Sequence, residues 1–208
     1  MIDDQVHFRD PGLTWKGDLE TESRAAVVGD ITSFIDMPKT KPTTTNAEAL
    51  AAEHRRGTEA SRGNHAFYMG ATNDILGDLQ RMGPKASDGM KIFMGASTGN
   101  KLINHTDILD AFFRDTPTPI ITHCEDMPMI EANVAAAKHR WPEDIPLKQH
   151  PSIRSRDAGI KSTRLARELA RRHNARLHVL HISTADELAL FEPGPVTGKR
   201  ITAETCVH

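Results

Sequence analysis

Residues 155–182 read SRDAGIKSTRLARELARRHNARLHVLHI, and this stretch decides the fold class. Its first part, Ser155–Asn174, is rich in alanine and charge, the composition of a helix with one solvated face. Its second part, Arg176–Ile182 (RLHVLHI), is a short run of bulky and β-branched residues. Such a run suits a strand covered on both sides. A helix followed at once by a buried strand is the repeating unit of a parallel sheet with helical crossovers.

The same unit recurs in both directions. Short apolar runs lie at Ile31–Asp36 (ITSFID), His65–Gly70 (HAFYMG), Met90–Gly95 (MKIFMG), Pro119–His123 (PIITH) and Arg200–Glu204 (RITAE), with Ile2–Phe8 as an opening seventh. Between them Leu19–Gly29, Asn46–Arg56 and Ile130–Arg140 are helical in character, the first running from acidic residues to a glycine stop. Thr184 and Glu187 make a T-x-x-E capping box for a helix after the sixth strand. An open doubly wound sheet would bring a glycine-rich phosphate loop, and neither G-x-G-x-x-G nor G-x-x-x-x-G-K-[ST] occurs. A (β/α)8 barrel instead collects its functional residues at the C-terminal ends of several strands. That is where the unusual residues of this chain fall.

Bulk properties narrow the function. The 208 residues carry 26 basic and 28 acidic side chains, a net charge of −2, which argues against a nucleic-acid or membrane-surface partner. No apolar run approaches the length of a membrane span, and the acidic Met1-Ile2-Asp3-Asp4 start is unlike a secretory signal. Two distant cysteines, Cys124 and Cys206, make no disulfide framework and point to a reducing cytoplasm. The apolar fraction of 38% and aromatic fraction of 5% are lean for a self-contained core, consistent with a fold that is incomplete.

Of the eleven histidines, His7 closes the first strand, His123 the fifth and His181 the sixth, while Lys91 lies within the fourth. Strand alternation puts Leu177, Val179 and His181 on one face and His178, Leu180 and Ile182 on the other, so His178 and His181 should not share the barrel interior. His54, His65, His105, His139, His150 and His173 fall in helices, loops or strand starts, where an ordinary hydrogen-bonded histidine is expected. A lysine in a buried strand is costly unless it is paired or chemically altered. An ion pair would explain Lys91. So would carboxylation of its amine, which would make it an anion able to bridge two metal ions.

The local words then resemble a family. Asp4-Gln5-Val6-His7-Phe8-Arg9-Asp10-Pro11-Gly12 resembles the first-strand motif of dihydroorotases, D-x-H-x-H-x-R-x-P-G, and Asp36-Met37-Pro38-Lys39-Thr40 resembles their M-P-N-T. Met90–Gly95 is similar to the strand that carries a carboxylated lysine in dihydroorotases, hydantoinases and allantoinases. Ile121–Asp126, Leu180–Thr184 and the stretch 201–208 resemble the fifth, sixth and seventh strands, in order along the chain.

The resemblance implies one domain, residues 1–208, forming a TIM-type (β/α)8 barrel from its first to about its seventh strand. The accessory β-sandwich and the eighth strand, with its catalytic aspartate, would be missing, so the polypeptide alone is expected to be inactive. It implies two divalent metal ions, zinc by ligand type. His7 would hold one ion, carboxylated Lys91 would bridge both, and His123 and His181 would hold the other. Arg9 would bind the substrate carboxylate. The reaction implied is hydrolysis of dihydroorotate to N-carbamoyl-aspartate, run in reverse in pyrimidine biosynthesis, and a homo-oligomer is compatible with it. Gln5 stands where the family usually has a histidine, and an amide oxygen is a weaker zinc ligand. Lys39 replaces an asparagine that contacts the substrate carboxylate. Two alternatives stay open: a hydantoinase or allantoinase, whose substrates lack the carboxylate that Arg9 suits, and a non-catalytic homologue that supports aspartate carbamoyltransferase.

Overall fold

The computed structural model describes residues 1–73, 83–95 and 106–206. The chain forms two compact units, Met1–Lys91 with Thr116–Pro119, and Ile92–Asp115 with Ile120–His208.

In the first unit β1 (Ile2–Val6), β2 (Ser33–Asp36) and β3 (Asn64–Phe67) make a parallel sheet in that order. Two crossover helices join them, α1 (Leu19–Val28) and α2 (Ala47–Ala60). Asp18 caps α1 by accepting from Thr21 N, and Asn46 caps α2 by accepting from Ala49 N, so each helix begins where a polar side chain takes up an orphan donor. Phe8, Leu19, Phe34, Leu50 and Phe67 are buried, with the Phe8 and Phe34 rings 4.7 Å apart. The run His65–Gly70 divides at Tyr68. Up to Phe67 the chain pairs with β2; beyond it, β4 (Met69–Gly70) pairs with β5 (Met90–Phe93). A bulge lies in β1, where Asp3 faces Phe34 but Val6 faces Asp36, three steps on one strand against two on the other. Bulges re-aim side chains and favour functional rims.

In the second unit β6 (Ile120–His123), β7 (Leu177–Val179) and β8 (Ile201–Ala203) are parallel neighbours. Helices α3 (Thr106–Asp115), α4 (Met127–Arg140) and α6 (Arg156–His173) accompany them, with a single-turn α5 (His150–Ile153) before α6. Leu109, Phe112 and Phe113 on α3 and Ala166 and Leu169 on α6 are buried, as are Ile120, Ile121, Leu177 and Val179 on the strands. Burial of each large side chain stabilises by about 1.5–3 kcal/mol. Asp110 ties α3 to α6, accepting from Arg172 and bonding His173 at 2.9 Å each. The helix expected over Ser155–Asn174 has both of those residues as its caps, Ser155 accepting from Ala158 N and Asn174 left-handed at φ 51. Arg171, Arg172 and His173 in the last turn complement its dipole.

The Thr184–Glu187 pair caps a single-turn helix, α7 (Ala185–Leu188), and the buried Glu187 carboxylate accepts from Thr163 and Thr184. One local expectation is corrected. His181 does not continue the alternation of β7: it lies two residues beyond the strand with φ 41, so face-counting from Leu177 and Val179 no longer governs it. His105 and His208 lie outside the described residues. No helix among the described residues is long and apolar enough to cross a membrane.

Candidate functional site

The second unit brings two of the expected residues together. His123 ends β6, whose first three residues are buried, and Leu180 N donates to Thr122 O (3.1 Å), so the chain leaving β7 runs beside it. The positive φ at His181 then turns its ring back. His123 Nδ1 and His181 Nε2 stand 3.0 Å apart, with ring centroids at 4.9 Å. His123 Nε2 lies 2.8 Å from Glu125 Oε2, which also accepts from the Arg154 guanidinium. With Nε2–H donating to that carboxylate, Nδ1 is left as the acceptor for His181. Burial alone would raise the Glu125 carboxyl, but the hydrogen bonds from His123 and Arg154 outweigh it and hold it at about 2. The pair opens on a cleft of about 360 Å³ lined also by His150, Arg154 and Ser183.

Glu204, just past β8, supports the same place. Its Oε1 accepts from His181 N (3.3 Å), while Oε2 lies 3.8 Å from His178 Nε2. His178 also bonds Thr202 through Nδ1 at 2.8 Å. Gly95 lies against Glu125, where an added Cβ would come within 2.5 Å of the Glu125 Cβ, so this approach requires glycine.

The donor set of the second unit fits a divalent ion. A tetrahedral zinc with Zn–N of about 2.0–2.1 Å separates its imidazole nitrogens by about 3.3 Å, close to the His123–His181 spacing. At 3.0 Å one ring must donate and the other accept, and a cation would take the place of that proton.

In the first unit, His7 and Arg9 follow β1. Phe8 N between them donates to Asp36 Oδ1 (3.2 Å), which also accepts from Met37 N (2.8 Å). Gln5 is half-buried, and its N–H bonds Asp3 Oδ1 beside the bulge. Lys91 is 2% exposed within the fully buried β5, and its carbonyl accepts from Ala71 N (2.9 Å). Lys39 is half-buried in the loop after β2. Burial pushes the Asp36 carboxyl up to about 8, against the opposing hydrogen bonds from Phe8 and Met37, and pushes Glu53 on α2 up to about 7.

Among the described residues, four non-glycine residues have positive φ: Arg9 (68), Asp30 (64), Asn174 (51) and His181 (41). Asp30 and Asn174 are side chains that tolerate this region, beside helix ends. Histidine enters this region more readily than most residues and arginine does not, so Arg9 carries a cost of about 1–3 kcal/mol there, strain that concentrates at functional sites. Both lie among the residues singled out from the sequence.

Sequence reasoning missed Glu125, Arg154, Glu204, Asp36 and Glu53. Glu125 and Glu204 had a signal, a carboxylate beside a strand-end histidine or inside an apolar run. Arg154 had none, since it reaches Glu125 across 29 residues.

Comparisons with known proteins bear on the family and the fold. No protein-family model matches the chain. The dihydroorotase of Methanosphaera stadtmanae is 31% identical over 197 residues, 92% of this chain and 43% of that protein. The allantoinase of Streptomyces avermitilis is 31% identical over 220 residues, all of this chain and 46% of its own length. The chain thus spans about half the length of the curated relatives it matches. Among solved structures, the L-hydantoinase (dihydropyrimidinase) of Arthrobacter aurescens superposes with a TM-score of 0.87 over 98% of this chain and 46% of its own, at 24% identity. The fold class is therefore α/β with parallel strands, a partial (β/α)8 barrel.

Proposed function

The chain is a dihydroorotase-like member of the amidohydrolase superfamily, and from that premise we propose that it is part of a metal-dependent hydrolase of cyclic amides with dihydroorotate as substrate. The observation that carries the metal-dependent reading is the His123–His181 pair, two imidazole nitrogens 3.0 Å apart on a cleft, oriented by Glu125, Arg154 and Glu204. His123 and His181 would hold one ion, His7 the other, and a carboxylated Lys91 would bridge them; Gln5 would be a weak additional ligand. Bound ions of this kind supply Lewis acidity toward the ring carbonyl and acidify a water.

The choice of dihydroorotate rests on Arg9. Its guanidinium fork matches a carboxylate in two-point contact, and Lys39 adds a second positive charge after β2. Hydantoin and allantoin offer no carboxylate to either. Relatives named allantoinase are as similar as those named dihydroorotase, so a neutral-ring substrate is the second reading.

Zinc titration with metal analysis of the full-length gene product tests the centre. About two ions per chain are expected. Binding of none would overturn the enzyme reading in favour of a non-catalytic partner of a carbamoyltransferase.

A further inference from the structure

The segments that carry Arg9 and Lys39 are both tied to one helix. Asp10, next to Arg9, is 5% exposed, and its Oδ2 accepts from Arg56 Nε (3.2 Å), Arg56 Nη2 (3.0 Å) and Leu19 N (3.2 Å). Thr40, next to Lys39, donates to Pro42 O (2.8 Å) and stands 3.1 Å from Thr44 Oγ1, which bonds the Glu53 carboxylate. Glu53 and Arg56 are three residues apart on α2, hence on one face. The two loops also touch directly. Lys41 N donates to Pro11 O (2.9 Å), and Gly12, at φ +85, leaves room for Lys41 O where a Cβ would sit 1.8 Å away.

Phe8 and Met37, which flank these segments, are buried, but beyond them the loops reach α2 through the polar ties just described. Between the loops and α2 lies a cavity of about 200 Å³, lined by Asp10, Pro11, Pro42, Thr44, Ala49, Ala52, Glu53 and Arg56. A buried carboxylate such as Glu53, at 4% exposure, is costly where an apolar side chain would pack without penalty. With a void behind the loops, the polar ties set where they stand.

We propose that Glu53 and Arg56 are positioning residues that fix the Arg9 and Lys39 segments, and so set the preference for cyclic amides bearing a carboxylate over neutral ones. The inference rests on the reading of Arg9 and Lys39 as carboxylate-binding residues.

The test compares dihydroorotate with hydantoin, the latter as substrate or, where it is not turned over, as competitive inhibitor, in the metal-loaded full-length gene product. Glu53→Leu and Arg56→Met remove the ties, whereas Glu53→Gln and Arg56→Lys keep an acceptor or a cation. The first two should raise KM for dihydroorotate about tenfold while kcat and the hydantoin constant stay within about twofold. The conservative pair should recover most of the loss. Should Glu53→Leu fail to fold, Thr44→Val deletes the hydroxyl tie alone and carries the same expectation.

Parallel loss on both substrates, or no change on dihydroorotate, overturns the proposal if Arg9→Met is itself selective against dihydroorotate. If Arg9→Met is not selective, or the wild type does not act on dihydroorotate, the carboxylate reading fails and this inference falls with it.

Discussion

The two units hold their candidate residues in different ways. In the second, His123 ends the buried strand β6 and His181 follows two residues after β7, and the carboxylates of Glu125 and Glu204 fix a ring and a peptide N–H. In the first, Arg9 and Lys39 ride on loops tied by the carboxylates of Asp10, Asp36 and Glu53, beside a cavity. Strand ends are set by the ladder and the core, and suit ligands that must converge on one point. Loops held by polar ties can be re-aimed by a single substitution, and suit the choice among substrates. On the proposed function, the difference separates the His123–His181 pair, which would bind the ion, from the Arg9 and Lys39 loops, which would choose the substrate.

The largest expected effect breaks that comparison if it fails. His123→Ala and His181→Ala should each lower zinc affinity more than 100-fold, beyond the loss from changing a supporting partner, whereas Arg9→Met should leave zinc affinity unchanged. Calorimetric zinc titration of the three variants separates them, and equal losses would erase the distinction between the histidine pair and the loops. Gly95→Ala comes next. Its Cβ displaces Glu125, the support of His123, so zinc affinity should fall by roughly 10–100-fold while Arg9-dependent substrate discrimination persists.

The smallest effect is a pH dependence in the first unit. Burial raises the Asp36 carboxyl from 3.8 to about 8, so between these values the native state keeps a proton that the unfolded chain has released. Stability therefore declines as pH rises from about 4 to about 8. Asp36→Asn keeps an acceptor for Phe8 N and Met37 N but does not titrate. It should flatten that slope, gaining stability relative to the wild type as pH rises across the window. Denaturant unfolding at several pH values reads this, and an unchanged slope would mean that Asp36 is ionised in the fold.

Much of the fold was legible because its strands are short runs of bulky and β-branched residues, wholly buried in β5, nearly so in β6, and still apolar enough to stand out in the half-buried β2 and β7. The apolar runs at ITSFID, MKIFMG, PIITH and RLHVLHI need no partner to be recognised, and Ser155 and Asn174 mark helix ends by their own chemistry. The break at Tyr68 was not legible, because which neighbour a strand pairs with is settled by the sheet. The turn at His181 was hidden for a related reason: face-counting assumes extended backbone, and φ 41 there breaks the count. The buried acids were hidden because acidic residues ordinarily read as solvated surface, and only the fold shows that Asp36 and Glu53 are enclosed. Arg154 reaches Glu125 only through the packing of α5 and α6 on α4.

Hydrolysis of dihydroorotate beside hydantoin and allantoin, by the metal-loaded full-length gene product, tests the central claim most directly. A larger kcat/KM for dihydroorotate than for either neutral ring is predicted, with Arg9→Met lowering it by about 10- to 150-fold, the worth of about 1.5–3 kcal/mol for hydrogen bonds to a charged group. Equal or faster turnover of the neutral rings, unaffected by Arg9→Met, would contradict it.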